Sequence, residues 1–196
     1  MVRSLLGHGI RAIDWILRRA YKVRPFCDDR ACILRISPGR VRRALRLSDG
    51  ASLRPGDPLV NIHLWNERLD DLGLDVPAAW GAVTLHRFRF SLGRLAALLT
   101  DGGEWREVVA VCGELSFVTG LEKARRFFEP LGFDLFLVDQ PGLKIWRPAF
   151  WDNLFASWLM WTFNPASLRG KRLGQLVRVE VWMSRDTLLR KYAPRG

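Results

Sequence analysis

Two clusters of turn-forming residues, Ser48-Asp49-Gly50 and Arg54-Pro55-Gly56-Asp57, divide the chain between residues 31 and 65 into short apolar runs. Runs of this length bounded by turn residues read as strands, here over residues 31–36, 41–47 and 59–65. In the second, Val41, Leu45 and Leu47 fall on one face and Arg42 and Arg46 on the other, with Arg43 breaking the alternation. The first third is therefore expected to be a small antiparallel meander. A helix precedes it. From residue 4 to residue 22, Leu6, Ile10, Ile13, Leu17 and Tyr21 form an apolar stripe with Arg11, Arg18, Arg19 and Lys22 off it. That helix must end before Arg24-Pro25, because the residue before a proline is pushed out of the helical region.

Helical spacing returns further on. A short helix is expected over residues 66–72, closed by Gly73, and a longer one over 77–99, broken near Phe90-Ser91 with Ser91 capping its second half. Residues 108–118 read as a strand. Thr119-Gly120-Leu121-Glu122 is a capping box, in which a hydroxyl and a carboxylate satisfy free backbone N–H groups, and it opens a helix that stops at Pro130. A strand over 135–138 completes a strand–helix–strand unit. An aromatic helix over 148–163, a last strand over 176–183 and a helix capped by Ser184 and running through Tyr192 follow. Gly102-Gly103 marks the weakest continuity. The expected fold is α+β: one domain over residues 1–196, with a small antiparallel or mixed sheet and flanking helices.

A chain of 196 residues with 48% apolar and 26% charged residues buries a full core without disulfide or metal. Cys27, Cys32 and Cys112 make an odd count without paired spacing, which argues against a disulfide framework or a zinc site and for a reducing compartment. Arg11, Asp14 and Arg18 interrupt any apolar core of signal-peptide type near the start, and the run over residues 154–161 is far short of the ~20 residues a spanning helix needs. Net charge is +11 and unevenly spread. Residues 1–60 carry 13 Lys/Arg against 5 Asp/Glu, residues 61–163 carry 10 against 13, and residues 164–196 carry 8 against 2. Basic ends around an acidic middle would attract an anionic partner: lipid headgroups, an acidic glycan or nucleic acid. A nucleic-acid partner is the weaker expectation, since no RRM, KH or helix-turn-helix pattern is present.

No phosphate-cradling G-x-x-x-x-G-K-[ST], no G-x-G-x-x-G, no G-x-S-x-G and no H-E-x-x-H occurs, so no metal site and no cofactor is expected. The polar cluster with most chemical content is Asn61-Ile62-His63-Leu64-Trp65-Asn66-Glu67-Arg68. On a strand, His63 shares a face with Asn61 and Trp65, while Asn66 and Glu67 lie at its end. An imidazole beside an amide and a carboxylate can bind a polar ligand or move a proton, and the same residues equally suit a hydrogen-bonded core histidine and a helix cap. Cys112, in a Val-rich strand, reads as a small buried hydrophobe ahead of a nucleophile. Trp151, Phe155 and Trp158 at helical spacing suit a core stripe, or a membrane interface beside the basic N-terminal helix.

The stretches HLWNERL (63–69), FNPASLRGKRL (163–173) and VWMSRDTLLRKY (181–192), with the early DWILRRAYKVRP and LSDGASLRPGDPLV, resemble the YkoP-like family of bacterial proteins over most of the chain in order. The resemblance implies an α+β domain associated with polysaccharide deacetylase-type and glycosyltransferase-type envelope proteins, although no deacetylase pattern is present here. Its motifs nominate His63, Asn66, Glu67, Asn164, Arg169, Lys171, Arg172, Ser184 and Arg185. Arg87, Arg89 and Ser91 are added because arginines before a helix start make an anion site. The leading expectation is a non-catalytic accessory or binding domain, cytoplasmic and peripheral on the inner membrane, engaging an anionic lipid, glycolipid or glycan and an envelope-enzyme protein partner. The alternative is an enzyme acting on an envelope glycan or lipid precursor, with His63 and Glu67 as acid and base.

Overall fold

The computed structural model describes residues 19–65, 67–68, 77–118, 121–139 and 177–194. Asn66, Asn164, Arg169, Lys171 and Arg172, the capping residue Thr119 and the aromatic helix over 148–163 lie outside them, as does the N-terminal helix up to residue 18. In chain order the elements are β1 (Leu34–Arg40), β2 (Leu45–Arg46), β3 (Ser52–Leu53), β4 (Pro58–Leu64), α1 (Pro77–Asp101), β5 (Ala110–Val118), α2 (Leu121–Phe128), β6 (Asp134–Asp139), β7 (Val177–Ser184) and α3 (Arg185–Tyr192). The class is α+β, as the pattern of elements implies.

Five strands form one mixed sheet in the order β1-β4-β5-β7-β6, and β2 and β3 form a separate two-stranded ribbon. β4 runs antiparallel to β1 and parallel to β5. A parallel neighbour requires a crossover connection, which α1 supplies between β4 and β5. β7 runs antiparallel to both β5 and β6 and lies between them. The strand–helix–strand unit over 108–138 is therefore split by a strand from the far end of the chain, a long-range pairing that local pattern cannot reveal.

Alternation assigns the two faces. Val60, Ile62, Val111, Val181 and Met183 point to one side, where Phe88, Leu92, Leu95 and Leu99 of α1, Phe128 of α2 and Leu188 of α3 cover them. The α1 residues recur at three- and four-residue intervals, the spacing of one helix face. On the other side Leu59, Ala110, Cys112 and Trp182 pack under the ribbon residues Val41, Leu47 and Leu53. Each buried aliphatic side chain contributes roughly 1.5–3 kcal/mol relative to exposure, so both faces of the central strands are firmly specified.

Two local expectations are corrected. The strand over 41–47 shrinks to Leu45–Arg46. Val41 is taken up by a turn instead, donating to Asp57 O at 2.9 Å and accepting from Gly56 N at 2.9 Å. Nor does α1 break near Phe90-Ser91: it runs unbroken over 25 residues. Ser91 is fully buried, donates its hydroxyl to Arg87 O at 2.8 Å and accepts from Ile33 N at 2.9 Å. Its hydroxyl is thus an acceptor for the loop before β1. With no helix start at Ser91, Arg87 and Arg89 lie in the middle of a helix and the anion site expected there loses its backbone donors. Gly102 and Gly103, with φ of 84° and 56°, turn the chain out of α1, and Trp105 directly after them is buried in the same core as α1.

Ser91→Ala removes the acceptor of a buried N–H, which costs about 1–3 kcal/mol. Urea unfolding should show that loss, while Arg89→Ala on the exposed side of α1 should change stability by less than ~0.5 kcal/mol.

Candidate functional site

The face of the sheet that carries the ribbon changes character along its strands. Near the start of β4 it is apolar; two residues further on it is polar. Register sets Ser37 opposite Asn61, Asn61 opposite Cys112 and Cys112 opposite Trp182. The next row holds Arg35 opposite His63 and Glu114 opposite Glu180. His63 and Glu114 each stand one residue beyond the parallel pair Ile62 and Gly113, so they complete the same row.

Within these rows the side chains are joined. Ser37 Oγ and His63 Nε2 share a hydrogen bond of 2.9 Å, with Ser37 buried and His63 half-buried. Arg35 pairs with Glu67 at 3.3 Å and lies 4.2 Å from the centre of the Trp65 ring. Arg68 stacks on the same indole at 3.7 Å and donates to Cys32 O at 2.7 Å and to Asp29 O. Two guanidinium groups thus lie against the Trp65 indole. Glu180 accepts from Arg43 at 2.9 Å and from Trp182 Nε1 at 3.0 Å. Like charges directly opposite each other destabilise a sheet, and Arg43 offsets that for the pair Glu114 and Glu180.

Burial of the His63 ring disfavours its protonated form; the Glu114 charge works against this and the Arg35 charge with it, and the net holds the imidazole below its ordinary value of 6.5. At neutral pH His63 is uncharged. Burial, reinforced by Glu180 and Glu114 and opposed by Arg42 and Arg43, pushes the Cys112 thiol far up. A thiol held protonated is a poor nucleophile, and Cys112 acts as a small apolar group between Leu59 and Trp182.

The nominated residues do not all converge. His63 and Glu67 come together through Arg35. Ser184 and Arg185 lie at the opposite end of β4, since Ser184 is opposite Ala110 and Ala110 opposite Leu59, four residues or about 13 Å from His63. Ser184 is the N-cap of α3, accepting from Thr187 N at 3.0 Å, and its hydroxyl also donates to Asp49 Oδ2. Thr187 Oγ1 donates to the same oxygen at 2.6 Å, and Ala51 N to Asp49 Oδ1 at 3.0 Å. These bonds tie the ribbon to α3. Burial acts to raise the Asp49 carboxyl, but the hydrogen bonds from Ser184, Thr187 and Ala51 outweigh it and hold the group below its ordinary range. Arg185 donates to Leu99 O at 2.7 Å, a carbonyl in the last turn of α1 that has no helical partner, and to Arg106 O in the segment that follows.

Arg35, Ser37, Glu114 and Glu180 were not singled out from the sequence. Their signal was a polar residue at alternate positions of an apolar strand: Arg35 and Ser37 in ILRIS, Glu114 two residues after Cys112, Glu180 two before Trp182. Among the described residues, no group of three or more His, Cys, Asp and Glu side chains is placed to hold a metal ion, and no helix is long and apolar enough to cross a membrane.

The unfolded chain binds the His63 proton more readily than the folded one, so stability is complete above about pH 6.5 and falls as pH drops below it. Urea midpoints measured between pH 5 and 8 should fall on the acid side more steeply for the native chain than for His63→Gln.

The family model of the YkoP domain matches residues 4–192. No curated protein and no solved structure matches the chain.

Proposed function

The chain belongs to the YkoP domain family, and from the charge laid beside its polar sheet face we propose that it is a binding domain of cell-envelope lipid or glycan metabolism, acting at the cytoplasmic membrane surface on an anionic, hydroxyl-bearing ligand. The observation that carries this reading is the arginine content of the ribbon. Arg40, Arg42, Arg43, Arg46 and Arg54 are all exposed on or beside β2 and β3. The two acids of the same stretch are engaged by the fold: Asp49 holds Ser184 and Thr187, and Asp57 accepts from Arg54 N at 2.7 Å. Arg42, Arg46 and Arg54 have no acidic partner among the described residues. Arg42 and Arg43 both act on the Cys112 thiol and Arg43 bonds Glu180, which puts their charge beside the two adjacent rows where Cys112 and Glu180 stand.

A guanidinium presents a planar fork of donors suited to phosphate and carboxylate, and several on one ribbon give a surface that collects anions. Beside it, Asn61, His63, Glu114 and Glu180 offer donors and acceptors for hydroxyl groups. That combination suits a phosphorylated or lipid-linked sugar better than a bare polyanion, which would meet Glu114 and Glu180 unfavourably.

Vesicle flotation tests the reading. The chain should float with vesicles containing anionic phospholipid and stay behind with neutral ones. At about 1 kcal/mol per basic residue near an anionic surface, the triple variant Arg42→Gln, Arg46→Gln, Arg54→Gln should bind roughly 100-fold more weakly. Equal binding to neutral vesicles, or an unaffected triple variant, would sink it; retention of nucleic acid across a salt series without vesicle binding would replace it with the nucleic-acid alternative.

A further inference from the structure

We propose that Ser37, His63 and Glu114 form a nucleophile, base and carboxylate row that cleaves an O-acyl ester, with the Asn61 amide as the donor to the oxyanion. The three stand on β1, β4 and β5, adjacent strands of one sheet, with their side chains on one face. Ser37 Oγ is already 2.9 Å from His63 Nε2, the contact a hydroxyl needs to lose its proton to an imidazole. Glu114 stands on the far side of His63 from Ser37 and its charge acts on the ring. It thus favours the imidazolium that forms when His63 takes the Ser37 proton. This is the division of labour of a hydroxyl–imidazole–carboxylate triad, reached here on strands and without the G-x-S-x-G turn.

Asn61 is the register partner of Ser37, and its side chain leans along β1 over Gly39. A Cβ at Gly39 would come within 2.4 Å of Asn61 Nδ2, so glycine at that position is what leaves room for the amide beside the serine. Its N–H groups are the donors for the charge that develops on the carbonyl oxygen. Ser37 is 3% exposed, and the ester reaches it past Asn61 and His63, which are both half-buried.

The step balances without a cofactor. Ser37 Oγ bonds to the ester carbonyl carbon while its proton passes to His63 Nε2. The tetrahedral oxyanion collapses, the carbon–oxygen bond to the alcohol breaks, and the alcohol leaves with the proton from His63. Water then attacks the acyl-serine, again giving its proton to His63, and the acid departs as Ser37 is restored. The uncharged imidazole at neutral pH is the form this cycle starts from. Only the source of the ester, an acylated envelope lipid or glycan, rests on the reading in the previous subsection. The chemistry stands on the side chains.

The full chain is treated with a fluorophosphonate probe and, separately, with p-nitrophenyl acetate. One phosphonate adduct, mapped to Ser37, is expected, together with turnover of the acetate. Ser37→Ala abolishes the adduct; because that site is buried, His63→Gln is the parallel variant, and with its circular dichroism unchanged it should lower both rates at least about 100-fold. Glu114→Gln tests positioning: it removes a charge that favours the imidazolium, so the acid limb of the pH–rate profile should move to lower pH. Absence of an adduct on Ser37 in the folded native chain, or hydrolysis unchanged in His63→Gln, overturns the proposal. Labelling without vesicle binding removes the ligand reading and leaves the chemistry; vesicle binding without labelling does the reverse.

Discussion

A slip of one residue in β4 would turn Val60 and Ile62 out of the helical core and press Asn61 and His63 into it. That register is the constraint from which the rest of the structure follows. It is held from both sides, by seven antiparallel pairs with β1 and four parallel pairs with β5. It is held also from both faces, since α1 covers Val60 and the ribbon covers Leu59. The loss of several buried aliphatic groups at 1.5–3 kcal/mol each would exceed the few kcal/mol by which a domain of this size is stable. Arg35, His63, Glu114 and Glu180 therefore share a row because the apolar residues between them leave no other arrangement.

The polar end of that face shows how charge is kept tolerable in a half-buried setting. Its histidine is neutral, its arginine at position 35 is held by Glu67 and stacked on Trp65, and Glu180 is held by Arg43 and the Trp182 indole. Partner and solvent together keep each group from standing as an isolated buried charge, which would cost several kcal/mol. The same arrangement leaves the His63 imidazole hydrogen-bonded to the Ser37 hydroxyl and under the influence of the Glu114 charge.

The stretches that carry the resemblance divide by task. In HLWNERL, His63 faces the polar row, whereas Trp65 and Arg68 fix the loop before β1. In VWMSRDTLLRKY, Ser184 caps a helix and anchors Asp49, and Arg185 closes the end of α1. A serine or arginine in a motif is as readily a solution to unpaired backbone groups as a point of contact with a ligand, and only the location of its partners separates the two.

Hydrophobic period, turn residues and capping are local properties, and from them the sequence by itself determined the class, the strand over 59–65, the long helix after Pro77 and the Ser184 cap, each within a few residues. It determined too that His63 and Asn61 share a face, because a strand's period is two. Tertiary structure decided what depends on partners distant in the chain. β7 inserts between β5 and β6, residues 41–47 yield most of their ladder to a turn, and Ser91 serves a backbone N–H 58 residues away instead of breaking its helix. The site divides the same way. His63 was visible as the one imidazole in a polar strand end; Ser37 and Glu114 were not, because nothing local distinguishes a serine or a glutamate in a strand until pairing sets them on either side of that ring.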